Sequence, residues 1–173
     1  EKILDELVRQ LKLKRGVGTL FSYLGRMIEI LPSRIHITQT ASAQALECVP
    51  LSNSRKHDLL AEITEAERKE YRSLGGSIQW LAQQTRVDQA FSASKAAQLT
   101  TKALVKDIVA QNKTAQEIID TADRGLVIRR GMIDIKTAQV LSFGGSSFAT
   151  KEDEKPQRGG ITLLTHRPLE VIS

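Results

Sequence analysis

Thr64-Glu65-Ala66-Glu67-Arg68-Lys69-Glu70-Tyr71-Arg72-Ser73-Leu74-Gly75-Gly76-Ser77-Ile78-Gln79-Trp80-Leu81 decides the architecture, because it holds both a helix start and a helix period. Thr64 followed three residues later by Glu67 is a capping box, in which a hydroxyl and a carboxylate satisfy two orphan backbone donors reciprocally. Tyr71, Leu74, Ile78 and Leu81 then recur at helical spacing and define one apolar face. Gly75 and Gly76 remove side chains where another element approaches closely. The spacing predicts a central helix from Thr64 onward, with Arg86 and Asp88 flanking the break after it.

Toward the C-terminus, a second helical run passes through Phe91, Ala96 and Leu99. A third runs from about Thr101 to Ala122, with Leu104, Ile108, Ala115 and Ile119 on its stripe and Gly125 as its stop. The period then changes. Leu126-Val127-Ile128, Ile133-Asp134-Ile135, Val140-Leu141-Ser142-Phe143 and Ile161-Thr162-Leu163-Leu164 are short, branched runs separated by Gly, Pro or charge, so three or four strands are expected to close the chain.

Toward the N-terminus, Pro50, Ser52, Asn53 and Ser54 spell a polar connection of more than ten residues, the expected internal boundary. Before it, Thr40 is expected to cap a short helix through Leu46. Arg34-Ile35-His36-Ile37-Thr38 alternates as a half-buried strand does, with Ile35 and Ile37 inward, and Pro32-Ser33 turns it back on Met27-Ile28-Glu29-Ile30. Leu20-Phe21-Ser22-Tyr23-Leu24 also favours extended chain. Beyond the breaker Gly16-Val17-Gly18, the positions Ile3, Leu4, Leu7, Val8 and Leu11 mark a first helix.

Composition bounds what such a chain does. With 173 residues, 40% of them hydrophobic, it can bury a core in one or two small domains. The 25 Lys and Arg against 20 Asp and Glu leave a formal charge of +5, which permits a polyanionic partner without identifying one. Cys48 is the single cysteine, so there is no internal disulfide framework and no Cys-x-x-Cys metal knuckle. The sequence shows no apolar run of membrane-spanning length and no basic stretch followed by a short apolar one. An intracellular chain, cytoplasmic or nuclear, with no membrane partner is expected. Both ends read as cuts in a longer parent.

The usual carriers of chemistry are thin. His36, His57 and His166 lie far apart, in no metal-ligand spacing, and no metal site is expected. Gly16-Val17-Gly18 and Gly144-Gly145-Ser146-Ser147 do not continue into a phosphate-binding loop and read as turn glycines. Ser146 and Ser147 lack the context of a nucleophile and read as loop serines. Glu152-Asp153-Glu154 lies in a Lys-rich stretch without a calcium-loop pattern and reads as a solvated loop. Lys12, Lys14 and Arg15 suit either a phosphate backbone or the C-terminal end of a helix, where cations are favoured by its dipole. No catalytic residue is expected in the chain.

In order and spacing, several segments resemble the polyprotein of copia-type retrotransposons, from the end of its reverse transcriptase into its ribonuclease H domain. Tyr71-Arg72-Ser73-Leu74-Gly75-Gly76-Ser77-Ile78-Gln79-Trp80-Leu81, with Thr85-Arg86-Val87-Asp88 and Phe91-Ser92-Ala93-Ser94, is similar to that family's Y-R-x-L-x-G-S-L-x-Y-L followed by T-R-P-D and F-x-V-S. Phe21 to Ile30 is similar to its Y-F-L-G-I-E-I, and Ile35-His36-Ile37-Thr38-Gln39 to its I-x-L-S-Q. Val49-Pro50-Leu51 stands at its T-P connection. Val140 to Ala149 and Lys155-Pro156-Gln157-Arg158-Gly159-Gly160 are similar to its S-D-A-S-F-A strand and its K-S-Q-x-G-Y. The departures are specific. No Y-x-D-D polymerase signature is present, and Gly145 stands where the first ribonuclease H aspartate would be. Val87 replaces the Pro after Thr-Arg, and Pro156 the Ser before Gln157.

The resemblance implies an α+β fold: a palm- or thumb-like helix and primer-grip-like β-hairpin over 1–50, a helical connection over 51–123, and the start of a ribonuclease H-like mixed β-sheet over 124–173. It implies an ancestral role in RNA-directed DNA synthesis, catalytic inactivity in this chain, and no cofactor, although the intact family polyprotein would need magnesium. The implied partners are the rest of the parent polyprotein and an RNA–DNA hybrid or duplex, bound weakly and non-specifically. Lys12, Lys14, Arg15, Tyr23 and Arg86 are the expected nucleic-acid contacts. A non-catalytic interaction or structural module without a nucleic-acid role is the alternative.

Overall fold

A computed structural model describes residues 9–10, 18–134, 136–147 and 157–165. The fold is α+β. Of the expected first helix only Arg9 and Gln10 are described, and both are helical. Two compact units divide the chain, residues 1–128 and residues 129–173. The boundary expected at 50/51 falls inside the first of them.

The first unit opens with β1 (Leu20–Tyr23), β2 (Arg26–Ile30) and β3 (Arg34–Thr38), an antiparallel meander. β4 (Leu126–Arg129) adds to β3, giving the sheet order β1-β2-β3-β4 with β1 at one edge. Register pairs Ile28 with Ile37 and Ile30 with Ile35, so branched side chains meet across the strands. Leu24 and Gly25 turn β1 into β2 with φ of 48° and 75°. Positive φ at both centres is what a two-residue hairpin of the I′ kind requires, and Leu24 adopts it against its Cβ sterics. Gly25 also lies against α3 (Glu65–Gln84): a Cβ there would stand 2.9 Å from Cη2 of Trp80. At β4, a side chain on Gly125 would collide with the Ile37 carbonyl, so this glycine admits the closing strand and does not stop a helix.

β3 departs from its expected alternation. Ile35 and Ile37 are only half-buried, and the fully buried position is Thr38 at the strand end. Next come α1 (Thr40–Gln44) and α2 (Asn53–His57). Thr40 is the first helical residue rather than the cap; Gln39 occupies the cap position and makes no side-chain cap bond. The supposed polar connection is partly helical, started by Ser52, whose hydroxyl accepts from the Arg55 N–H. It is also tied down. Asn112 donates from Nδ2 to the Val49 carbonyl and accepts the Val49 N–H on Oδ1, both at 2.8 Å, copying with one side chain the two bonds of a strand pair.

α3 begins as its sequence dictates. Glu67 N–H donates to Thr64 Oγ1 at 3.2 Å, and Glu67 Oε2 accepts from Thr64 N–H at 2.7 Å. Tyr71, Leu74, Ile78 and Leu81 are all buried. A short 3₁₀ turn (Val87–Gln89) leads into α4 (Ala90–Leu99), and α5 (Val105–Asp120) follows. α5 is shorter than the expected 101–122, and its inner positions are Val105, Ile108, Gln111, Ala115 and Ile118, with Leu104 and Ile119 only half-buried. Its first turn is held from outside the helix, since Val105 and Lys106 N–H donate to the Ala61 and Leu59 carbonyls, both at 3.0 Å. Ala43, Leu46, Val49 and Ile63 complete this core, so residues on either side of 50/51 bury one another. Each large apolar side chain so enclosed contributes roughly 1.5–3 kcal/mol. The two central glycines differ: a Cβ at Gly75 would meet Gln111 Nε2 at 2.8 Å, whereas Gly76 faces open space.

The second unit is an antiparallel ribbon of β5 (Gln139–Ser147) and β6 (Gln157–Thr165). Residues 133–134 are not strand. Asp134 Oδ1 accepts from Lys136 N–H at 3.0 Å and its carbonyl from Thr137 N–H at 3.0 Å, a side-chain-supported turn that competes with extended pairing. The mixed sheet expected over 124–173 is not found among the described residues: β4 joins the first sheet, and β5 pairs with β6.

Candidate functional site

Two segments far apart in sequence meet where α3 ends. Thr85 Oγ1 donates to Gln39 Oε1 at 2.8 Å, and both side chains are buried. Gln39 follows the last residue of β3 and Thr85 caps α3, so this bond pins the sheet to the central helix.

Arg86 is the next residue, and it lies inside the unit. It is 2% exposed. Its Nε and Nη2 donate to Asp88 Oδ1 and Oδ2 at 3.1 and 2.8 Å, a bidentate fork. Nη1 donates to the Thr121 and Ile118 carbonyls at 3.2 and 3.4 Å. These carbonyls belong to the last turn of α5 and to the residue after it, where a helix lacks internal donors and its dipole favours a cation. The guanidinium therefore holds Asp88's carboxyl below the usual carboxylate range. Expected as a phosphate contact, Arg86 is instead a helix-closing residue with its donors committed, because positive charge in a sequence does not reveal carbonyls more than thirty residues away.

Tyr23 is placed differently. It is 58% exposed on the edge strand and stands opposite Arg26 in the β1–β2 register, one step from the turn. The Tyr23 ring and hydroxyl face solvent, whereas Arg26 is half-buried, with its Nε away from solvent and without a hydrogen-bond partner. Leu20 and Leu24 are exposed on the same hairpin. Lys12, Lys14 and Arg15 lie outside the described residues, as do His166 and Glu152-Asp153-Glu154.

Gly145 lies on β5 opposite Gly159. Neither β5 nor β6 contains an Asp or Glu. The residues of this ribbon do not fit the carboxylate set that clamps two divalent ions. Among the described residues there is no group of three or more His, Cys, Asp or Glu side chains placed to hold a metal, and no helix is long and apolar enough to cross a membrane.

Two further arrangements were not evident from sequence. Arg55 grips Glu67 through Nε at 3.0 Å and Nη2 at 2.7 Å, and Nη2 also reaches the Glu62 carbonyl at 2.9 Å. The guanidinium, more than the Thr64 amide, lowers the Glu67 carboxyl to about 2. Burial, with Asp107 nearby, pushes the Tyr71 hydroxyl up to about 12, and it donates to the Ala96 carbonyl at 3.1 Å. Gln111 has a legible signal after the fact: a polar residue three after Ile108 and four before Ala115, on an otherwise apolar stripe. Comparison with protein-family models, with curated proteins and with solved structures finds no match in any of the three.

Proposed function

We propose that this chain is a non-catalytic segment of the copia-type Pol kind, from the end of a reverse transcriptase into its ribonuclease H region, and that it holds duplex or RNA–DNA hybrid weakly through phosphates. The observation that supports the reading is the meeting of two segments that resemble the family's I-x-L-S-Q and T-R in the Gln39–Thr85 bond, which ties the hairpin to the central helix. Tyr23, exposed at the hairpin, then lies on the binding edge, with Lys12, Lys14 and Arg15 supplying the charge. The rest of a parent polyprotein is the protein partner, and the setting is cytoplasmic or nuclear. Fluorescence anisotropy of a labelled hybrid tests this at low ionic strength: Tyr23→Ala is expected to weaken binding, since its exposed hydroxyl is placed to donate to a phosphate or sugar oxygen. Unchanged affinity removes Tyr23 from the interface.

A second reading rests on a separate observation. All four residues of β1 are exposed, and the strand forms the edge of its sheet. Unpaired backbone groups beside apolar side chains are what an added strand from another protein requires. On this reading the chain is an interaction module without a nucleic-acid role, and hybrid binding is absent.

A further inference from the structure

Register places Phe21, Ile28 and Ile37 in one row across β1, β2 and β3, and Ile30 and Ile35 in the neighbouring row of the same face. Tyr23 and Arg26 continue that face toward the β1–β2 turn. The opposite face is more polar, with Glu29 opposite His36 and Met27 between Ser22 and Thr38. An antiparallel sheet packs its apolar face on a second layer. The helical core does not supply that layer, because none of these isoleucines, nor Phe21, belongs to it or packs against it. Phe21 is 39% and Ile30 41% exposed, and Ile28, Ile35 and Ile37 are half-buried.

The sequence outside the described residues holds a matching layer. Ile3, Leu4, Leu7, Val8 and Leu11 form one apolar stripe at helical spacing. Arg9 and Gln10 are helical and exposed; at 3.6 residues per turn Arg9 falls opposite the stripe and Gln10 at its margin, as on the outer side of a docked helix. Residues 12–18 join the stripe to β1. A stretch of that length reaches up to about 24 Å, well beyond the roughly 10 Å from the first strand of a meander to its third.

We propose that residues 3–11 lie as an amphipathic helix across this face of the sheet, with the apolar stripe seated on the Phe21–Ile28–Ile37 row. The occupant is the chain's own segment and not a second copy, because a short tether holds it at an effective concentration in the millimolar range. Lys12, Lys14 and Arg15 follow Leu11 directly, so docking carries them to the sheet that bears Tyr23. The contact itself does not depend on nucleic-acid binding.

The test is methyl NMR of the full chain labelled at Ile, Leu and Val, at micromolar concentration, alongside a mixture of two differently labelled preparations. Cross-relaxation is expected between the Leu7 or Leu11 methyls and those of Ile28 and Ile37, within one chain. Leu7→Asp is expected to abolish it and to speed amide exchange in β2 and β3 roughly tenfold or more, as loss of a buried leucine does. Cross-relaxation confined to pairs of differently labelled chains puts a second copy on the face and overturns the proposal. So does its absence between residues 3–11 and the sheet, or unchanged exchange in Leu7→Asp. The methyl contacts of the unaltered chain decide the matter if the variant does not fold.

Discussion

Thr85 Oγ1 donates a hydrogen bond of 2.8 Å to Gln39 Oε1 across forty-six residues of chain, in a place neither side chain shares with solvent. Removing the donor without changing shape isolates its contribution. Thr85→Val is expected to lower unfolding free energy by roughly 1–3 kcal/mol, the cost of leaving a buried polar atom unsatisfied. Faster amide exchange in β3 than in α3 should accompany it. A variant as stable as the parent, with unchanged exchange, contradicts the role given to this bond.

Arg86→Lys is expected to fail as a conservative change. An ammonium is a point donor and does not reproduce the fork onto Asp88 while reaching the α5 carbonyls. The loss is set at roughly 1.5–3 kcal/mol, as for hydrogen bonds to charged groups, and chemical denaturation measures it. A change within about 0.5 kcal/mol, typical of a surface site, returns Arg86 to the surface.

What was legible from sequence was local. The Thr64–Glu67 box and the face of Tyr71, Leu74, Ile78 and Leu81 depend on residues three and four apart, and all were found. The β2–β3 hairpin was legible through its period of two. The differences have separate causes. Arg86 looked like a surface cation because its carbonyl partners lie on another helix. The helix at 53–57 hid in turn-like composition, and the strand expected at Ile133 gave way to the Asp134 turn. On α5 the buried stripe lies one residue from the expected one at each end, Val105 for Leu104 and Ile118 for Ile119, because tertiary packing chooses between adjacent apolar neighbours. At the candidate site, Tyr23 is exposed on the edge strand, the Gln39–Thr85 bond is a tertiary fact with no local signal, and Gln111 leaves only a faint one, a polar residue on an apolar stripe.

Acid should act through Glu67. Its carboxyl falls from an ordinary value of 4.5 to about 2 in the folded chain. The folded state thus binds its proton more weakly, and the stability this confers is complete above the ordinary value and lost as pH falls toward 2. Unfolding free energy measured against pH should show Glu67→Gln less stable at neutral pH, flatter below 4.5, and converging on the parent in acid. Parallel curves throughout contradict the Arg55–Glu67 account.

Gly145→Asp should not create a nuclease. A Cβ at this position meets nothing within 4 Å, so the aspartate fits. Yet a two-ion site needs several carboxylates from separate elements, and β5 and β6 carry none. A hybrid-cleavage time course with magnesium or manganese, with and without chelator, is expected to yield no product from either protein. Chelator-sensitive product from the parent chain, or from the variant alone, contradicts this.

The most direct measurement is the affinity of the full chain for an RNA–DNA hybrid as a function of salt. The account predicts weak binding at low ionic strength that falls linearly in log–log form as salt rises, from the release of counterions by phosphate contacts. It predicts a shallower slope when Lys12, Lys14 and Arg15 are changed together to Gln. No binding at low ionic strength, or a slope the triple variant leaves untouched, contradicts it and favours the edge-strand interaction module.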